Sequence, residues 1–472
     1  MVKFPEAEVR KFRNVFVCRK CKTKIKAPNM KTIQGKVKCR SCGSKQFKAI
    51  RKKSSIILYE KIIKMPDFQT IAAIIFLIVL TIFVYVKRKN LDTKQIIPNI
   101  LYFSMYRTRW GLRLMDSIAK KYRKFVLYFG YIGVVVGFLG MIFISFMLIA
   151  SLMALFTKPE APSAVGLVLP VKAEGVFFVP FFYWIVSIFV IAVVHEFAHG
   201  LVARAHNLKV KSSGFAFLAL IVPVIPAAFV EPDEKELRKR PHKQQLSVFA
   251  AGAFSNIITA FLFLAVIFLL TPVVDSMIEP NGVKVTDYVK GDQRFPSEIS
   301  GIKIGEVIQQ VDNAPTPYVN NLSTVLRSKK PNDIVMIKTD KTVYELKLAK
   351  SPENQSLAYI GAYLEQSTKV KDNVTSAYGK FLPNVLIWLM GLFIFLYILN
   401  LGIGLFNLVP IGPLDGGRMF QLGLHKIFGE EKGNRLWLNI GIFFGLIILI
   451  FILISFYNIF SDVFSRLLNF IR

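Results

Sequence analysis

The chain has 472 residues, of which 53% are hydrophobic and 19% charged, and its mean hydropathy is +0.46. That balance excludes an ordinary water-soluble globule and a mainly disordered chain, and it predicts a membrane protein with water-facing attachments. Lys and Arg number 61 against 30 acids, and residues 1–53 alone hold 18 basic residues and two acids, so a separate basic module at the N-terminus is suited to phosphate or another anionic surface.

All four cysteines lie in that module. Cys18-Arg-Lys-Cys21 and Cys39-Arg-Ser-Cys42 form two C-x2-C knuckles 17 residues apart, within the usual range for a tetrathiolate zinc site. Disulfides are the alternative, but a basic segment with no visible signal peptide favours reduced thiolates. Residues 1–54 therefore read as a zinc ribbon.

Apolar runs long enough to cross ~30 Å of hydrocarbon follow at Phe68–Val86, Phe125–Phe156, about Phe177–Ala205, Leu246–Val274, Leu382–Phe406 and Leu436–Phe460. They predict a mainly α membrane protein of about six transmembrane helices. Residues 55–124 hold the first span and a basic connector, 125–274 and 376–472 form the transmembrane core, and 275–375 form a separate α+β domain. In that domain Val335-Met-Ile-Lys-Thr and Tyr344-Glu-Leu-Lys-Leu alternate as strands, while Leu322, Val325 and Leu326 have helical spacing. The basic stretches 87–124 and 209–243 belong in the cytoplasm, which puts residues 275–375 outside. By the same alternation the cysteine module falls outside too, in conflict with its reduced thiols.

The third span contains Ile191-Ala-Val-Val-His-Glu-Phe-Ala-His-Gly200. His195 and His199 are four residues apart, hence on one helical face, and two imidazoles at that spacing chelate one zinc ion. Glu196 is placed to accept a proton from water. Each ionisable residue inside a span costs at least ~2.5 kcal/mol on insertion scales, so three in five positions argue for a shared function rather than chance. A third ligand should come from another span. Asn407-Leu-Val-Pro-Ile-Gly-Pro-Leu-Asp-Gly-Gly-Arg418 breaks the fifth span with prolines and glycines, predicting a loop that presents Asp415, with a solvated interfacial turn as the alternative. Asn256 and Asn407, each in apolar surroundings, are candidates for holding the backbone of an unwound substrate, and equally for an inter-helix hydrogen bond.

The pair His-Glu-x-x-His-Gly and Asn-x-x-Pro-x-x-x-Leu-Asp-Gly resembles the site-2 protease family of intramembrane zinc metalloproteases. Met105-Tyr-Arg-Thr-Arg, Leu114-Met-Asp, Ala228-Phe-Val-Glu-Pro-Asp and Gly252-Ala-Phe-Ser-Asn256 are similar to archaeal members, so the resemblance covers roughly residues 68–465. It implies that His195, His199 and Asp415 bind a catalytic Zn2+, that Glu196 is the general base, and that a transmembrane peptide bond is hydrolysed. Leu408 stands where many members carry proline after the motif asparagine. Gly301-Ile-Lys-Ile-Gly-Glu-Val-Ile-Gln-Gln-Val-Asp-Asn-Ala-Pro315 resembles a PDZ domain, which implies either peptide binding by strand addition or a steric gate. Phe4-Pro-Glu-Ala-Glu-Val-Arg and Asn14-Val-Phe-Val-Cys resemble the zinc-ribbon protein of the large ribosomal subunit that is fused to ubiquitin in eukaryotes, with a longer inter-knuckle spacing here.

The expectation is thus a multi-pass enzyme of the cell membrane that cuts membrane-anchored regulatory or remnant peptides, with a second, structural Zn2+ on the four cysteines and rRNA or the ribosome as a partner of residues 1–54. A ribosome-binding membrane anchor is the rival, and a scaffold built on the PDZ-like domain a second. Neither needs His195, Glu196, His199 and Asp415, whose joint presence favours the enzyme.

Overall fold

A computed structural model describes residues 15–18, 20, 21, 23–26, 37–49, 68–97, 101–157, 166–170, 176–219, 223–289, 294–352 and 354–471. The chain forms two compact units, Met1–Ile71 and Ala72–Arg472. In the first, β1 (Val15–Cys18) pairs antiparallel with β2 (Lys24–Lys26) on one side and β3 (Phe47–Ala49) on the other. The motif residues Phe4–Arg10 and Asn14 lie outside the described residues.

Six helices among the described residues are long and apolar enough to cross a membrane, and each falls on a predicted span. In chain order the elements after the ribbon run α1 (Phe68–Lys87), β4 (Leu91–Ile97), β5 (Leu101–Thr108), α2 (Leu112–Lys121), α3 (Arg123–Thr157), β6 (Leu167–Leu169), β7 (Val176–Phe178) and α4 (Phe181–Ala205). It continues through β8 (Val210–Ala219), β9 (Pro223–Pro232), α5 (Glu234–Arg238) and α6 (His242–Met277). The long helices α1, α3, α4 and α6 are joined later by α10 (Phe381–Phe406) and α12 (Glu430–Ile471), with the shorter α11 (Asp415–Phe428) between those two. The outward faces of the spans carry exposed Leu, Ile, Val and Phe, as lipid contact requires. The protein is a multi-pass membrane protein.

Residues 87–124, read from their charge as a basic connector, and the basic stretch 209–243 contribute the strands of an antiparallel sheet in the order β4-β5-β8-β9. Charge concealed it. The strand edges carry Asp92, Arg107 and Glu231, which pair with one another across the sheet, while the interior of the β8–β9 hairpin is apolar on both faces. That hairpin lies along α4. Phe215 stacks on Phe189 with ring centroids 6.4 Å apart. Phe189 precedes the C-terminal end of α4 by 16 residues, about 24 Å at 1.5 Å per residue. The hairpin therefore reaches membrane depth, where irregular or open backbone is tolerated only against protein or a wet cavity.

Between α6 and α10 sits the expected α+β domain. Its elements are β10 (Ile278–Tyr288), α7 (Pro296–Ser300), β11 (Val307–Val311), β12 (Ala314–Pro315), α8 (Val319–Arg327), β13 (Ile334–Thr339), β14 (Val343–Lys347), β15 (Ala349–Lys350), β16 (Ala358–Tyr359) and β17 (Ala362–Val370); α9 (Asp372–Tyr378) follows and leads into α10. The main sheet runs β14-β13-β11-β10-β17, with β12 hairpinned onto β11 through Asp312 and Asn313 at φ 48° and 67°. Val283, Ile308, Leu322, Ile337 and Leu346 are fully buried and form its core with Val285 and Leu326. The arrangement is the PDZ-like one expected.

Candidate metal centre

α4, α6 and the start of α11 build the site. The prolines at 410 and 413 follow the end of α10 at Phe406, as expected, but the predicted loop is shorter than the motif: Asp415 is the first residue of α11, after Leu414 in extended conformation. The two following glycines do not break this helix. They allow close approach, because a Cβ on Gly416 would lie 2.1 Å from the Leu408 carbonyl oxygen and one on Gly417 1.9 Å from that of Ile411. The Gly416 N–H donates to the Asn407 carbonyl at 2.8 Å, and the Trp437 indole N–H donates to the Gly417 carbonyl at 2.9 Å. Trp437 also lies against Gly412. The Asp415 turn is thus held by backbone contacts and braced from α12.

His195 Nε2, His199 Nε2 and Asp415 Oδ2 form a triangle with edges of 3.1, 3.1 and 3.2 Å. The histidine side chains are 12% exposed and the aspartate 16%. Three lone-pair atoms this close repel unless something positive lies among them. Tetrahedral ligands about 2.0–2.1 Å from zinc are about 3.3 Å apart, so the triangle fits three protein ligands with the fourth position free.

Two further observations support the fit. With each Nε2 turned to the common point, a neutral imidazole carries its proton on Nδ1. His199 Nδ1 donates to the Val248 carbonyl at 2.7 Å. His195 Nδ1 lies 3.2 Å from the Asn256 amide, which in the placed orientation offers Nδ2 and leaves Oδ1 buried without a partner. Turning the amide over puts Oδ1 on the His195 N–H, so the orphaned atom is the acceptor a metal-bound His195 needs. Gly252, one turn before Asn256, provides the space: a Cβ there would lie 2.3 Å from His199 Nε2 and 2.6 Å from His195 Nε2.

Glu196, the residue after His195, reaches β9, where its Oε2 accepts the Val230 N–H at 2.8 Å. Asn256 is fully buried on the Nδ1 side of His195. Asn407 makes its hydrogen bonds through its backbone, and its side-chain amide has none among the described residues. Val248 and Trp437 lie in none of the sequence motifs, and the motifs that contain Gly252 and Val230 assign neither a role. Gly252-Ala-Phe-Ser-Asn256 was visible as a motif, but its spacing alone does not say that one end makes room for the imidazoles and the other orients one of them.

In the N-terminal unit the four cysteines are free and their sulfurs converge, with Cys18–Cys42 at 3.5 Å and Cys21–Cys39 at 3.4 Å. Tetrahedral sulfurs on zinc are about 3.8 Å apart. Hydrogen bonds from the Thr23 hydroxyl and backbone N–H hold the Cys21 thiol down to about 6, whereas at Cys42 the Ser44 N–H is outweighed by hydrogen bonds with the neighbouring thiols and by burial, which push it up to about 12. The two groups, Cys18, Cys21, Cys39 and Cys42 on one hand and His195, His199 and Asp415 on the other, are the metal-competent clusters among the described residues.

Residues 183–449, more than half of the chain, match peptidase family M50. An uncharacterized protein of Methanocaldococcus jannaschii is 26% identical over 342 residues, 72% of this chain and 82% of that one. A zinc metalloprotease of the same organism is 45% identical over 60 residues, 13% of this chain and 18% of that one. Among solved structures, the PDZ domain of an SdrC-like protein from Listeria monocytogenes matches 18% of this chain and 87% of its own at 24% identity, with a TM-score of 0.15. With its metal-competent triangle between membrane-spanning helices, the chain belongs to peptidase family M50 and is a metalloprotease of the site-2 protease type.

Proposed function

We propose that the protein hydrolyses peptide bonds inside transmembrane segments, using one zinc ion held by His195, His199 and Asp415. The observation that carries this reading is the triangle of ligand atoms beside Glu196 at membrane depth. The ion, when bound, supplies a Lewis acid for water and the scissile carbonyl. Glu196 then takes the proton of the attacking water and delivers it to the leaving nitrogen. Its anchorage to Val230 fixes that carboxylate against the edge of the sheet.

A helical substrate offers no free amides, so it must be extended before it is cut. β9 is the outer strand of its sheet. Because Val230 turns its N–H outward to Glu196, alternation in the ladder also turns the N–H and C=O of Ala228 outward. An unwound segment pairing with that edge would pass Glu196 as an added strand. The free side-chain amide of Asn407 is available to hold its backbone; Asn256 acts instead through His195. The PDZ-like domain screens what reaches the site, and the cell membrane is where the enzyme works. In the N-terminal unit, the second zinc holds the ribbon on its four thiolates, and the 18 basic residues bind rRNA.

The test uses a purified transmembrane reporter reconstituted with the enzyme, its products mapped by mass spectrometry. A cut within the apolar span, absent in Glu196→Gln that retains zinc, is expected. Cleavage only outside the span, or by Glu196→Gln, would overturn the reading.

A further inference from the structure

α1, α4 and the β8–β9 hairpin border a half-open cavity of about 330 Å3 lined by apolar residues. Its cause is legible in the packing. Along one face of α1, Phe76 packs on Phe181 of α4 and Phe83 packs on Tyr106 and Phe217 of the sheet, holding the helix at both ends. Between them Leu80 shares the cavity wall with Ala192 and Ala228, which are too small to fill the gap. An engineered cavity of about 150 Å3 already admits benzene, so this one has room for a large side chain.

We propose that the cavity receives an aromatic or branched apolar side chain of the peptide being cleaved and so selects among transmembrane substrates; this rests on the reading of the centre as an intramembrane protease. Continuity with that centre identifies the occupant. Ala192 is one helical turn before Glu196, on the same face of α4. Ala228 is two strand positions from Val230, and its backbone groups face the same free edge. A strand added to β9 therefore projects alternate side chains to either face of the sheet, and one face is the cavity under α1. Because the walls are entirely apolar, a polar or charged residue there would lose its hydration without a partner.

The experiment uses the full chain in liposomes with transmembrane reporters that differ only in having Ala, Leu, Phe or Trp at each position flanking the cut. Wild type is expected to favour Leu and Phe over Ala at one position, by about tenfold or more for the lost side-chain volume. Ala228→Leu, on the same face of the sheet as Phe215 and so directed into the cavity, should lower the kcat/KM ratio of the Phe to the Ala reporter at least about tenfold, with zinc content unchanged. Phe76→Ala, which enlarges the cavity from an otherwise lipid-facing helix, should shift preference toward Trp and guards against a misfolded first variant. Equal effects on all reporters, or an unchanged ratio in both variants, would overturn the proposal and leave a space filled by lipid chains. Failure of zinc-loaded wild type to cut any reporter would instead overturn the protease reading beneath it.

Discussion

Gly252→Ala is the smallest change that tests how the centre is built. The added methyl would sit 2.3 Å from His199 Nε2 and 2.6 Å from both Nε2 and Cε1 of His195, where ordinary contact begins at 3.4 Å. Relief therefore requires α6 to retreat or an imidazole to leave by about an ångström, several times the ~0.2 Å tolerance on metal–ligand distances. Folding should survive, because alanine regains ~0.8–1 kcal/mol of helix propensity against an overpacking cost of ~1–3 kcal/mol. Loss of a partner that merely orients a ligand costs ~10–100-fold in metal affinity, so displacement of the ligand itself should cost at least about 100-fold. The assay is competition with a zinc chelator on detergent-solubilised protein carrying Cys18→Ser and Cys39→Ser, which removes the ribbon's metal. Gly402→Ala and Gly445→Ala, at positions where a Cβ meets nothing, are the controls and should change nothing. Wild-type zinc affinity in Gly252→Ala would refute the packing argument.

Asn256→Ala should lower zinc affinity ~10–100-fold by removing the acceptor for His195 Nδ1, whereas Asn256→Asp should keep most of it; equal affinities in Ala and wild type would remove Asn256 from that role. Trp437→Phe keeps a ring against Gly412 but loses the bond to the Gly417 carbonyl, about 1 kcal/mol, so the cleavage rate at saturating zinc should fall several-fold; an unchanged rate would show that α12 does not brace the Asp415 turn. In the PDZ-like domain, burial works against the Asp312 carboxylate, but Lys329 and the Met336 N–H outweigh it and hold its pKa down; the Val307 N–H does the same for Asp340. A depressed carboxylate stabilises the fold above its unfolded value of about 3.9 and stops doing so as pH falls through the folded value. Hydrogen exchange of β11 and β13 in the full chain should thus be protected at pH 7 and accelerate below about pH 4, less so in Asp312→Asn; protection independent of pH would contradict these contacts.

The sequence carried the spans because a bilayer demands long apolar helices, and it carried His195, Glu196 and His199 because a helix fixes their relation within five residues. Asp415 stands out only through the company of its prolines and glycines, which do not disclose its surroundings. Gly416 and Gly417 suggest a loop, yet here they let α11 begin against the carbonyls of Leu408 and Ile411. The sheet of β4, β5, β8 and β9 was not legible, since its halves are separated by two membrane spans and its charged edge residues, Asp92, Arg107 and Glu231, read as surface until their pairing is seen. Positions such as Gly252 and Val230 matter for what they leave open or donate from the backbone, and side-chain chemistry alone does not announce either.

Metal stoichiometry with X-ray absorption tests the central claim most directly. The 472-residue chain should hold two zinc ions, one in an all-sulfur shell and one among nitrogen and oxygen ligands. Cys18→Ser with Cys39→Ser should leave only the latter, and adding His195→Ala with Asp415→Asn should leave none. A zinc ion that persists in that combined variant among nitrogen and oxygen ligands would contradict the assignment of His195, His199 and Asp415.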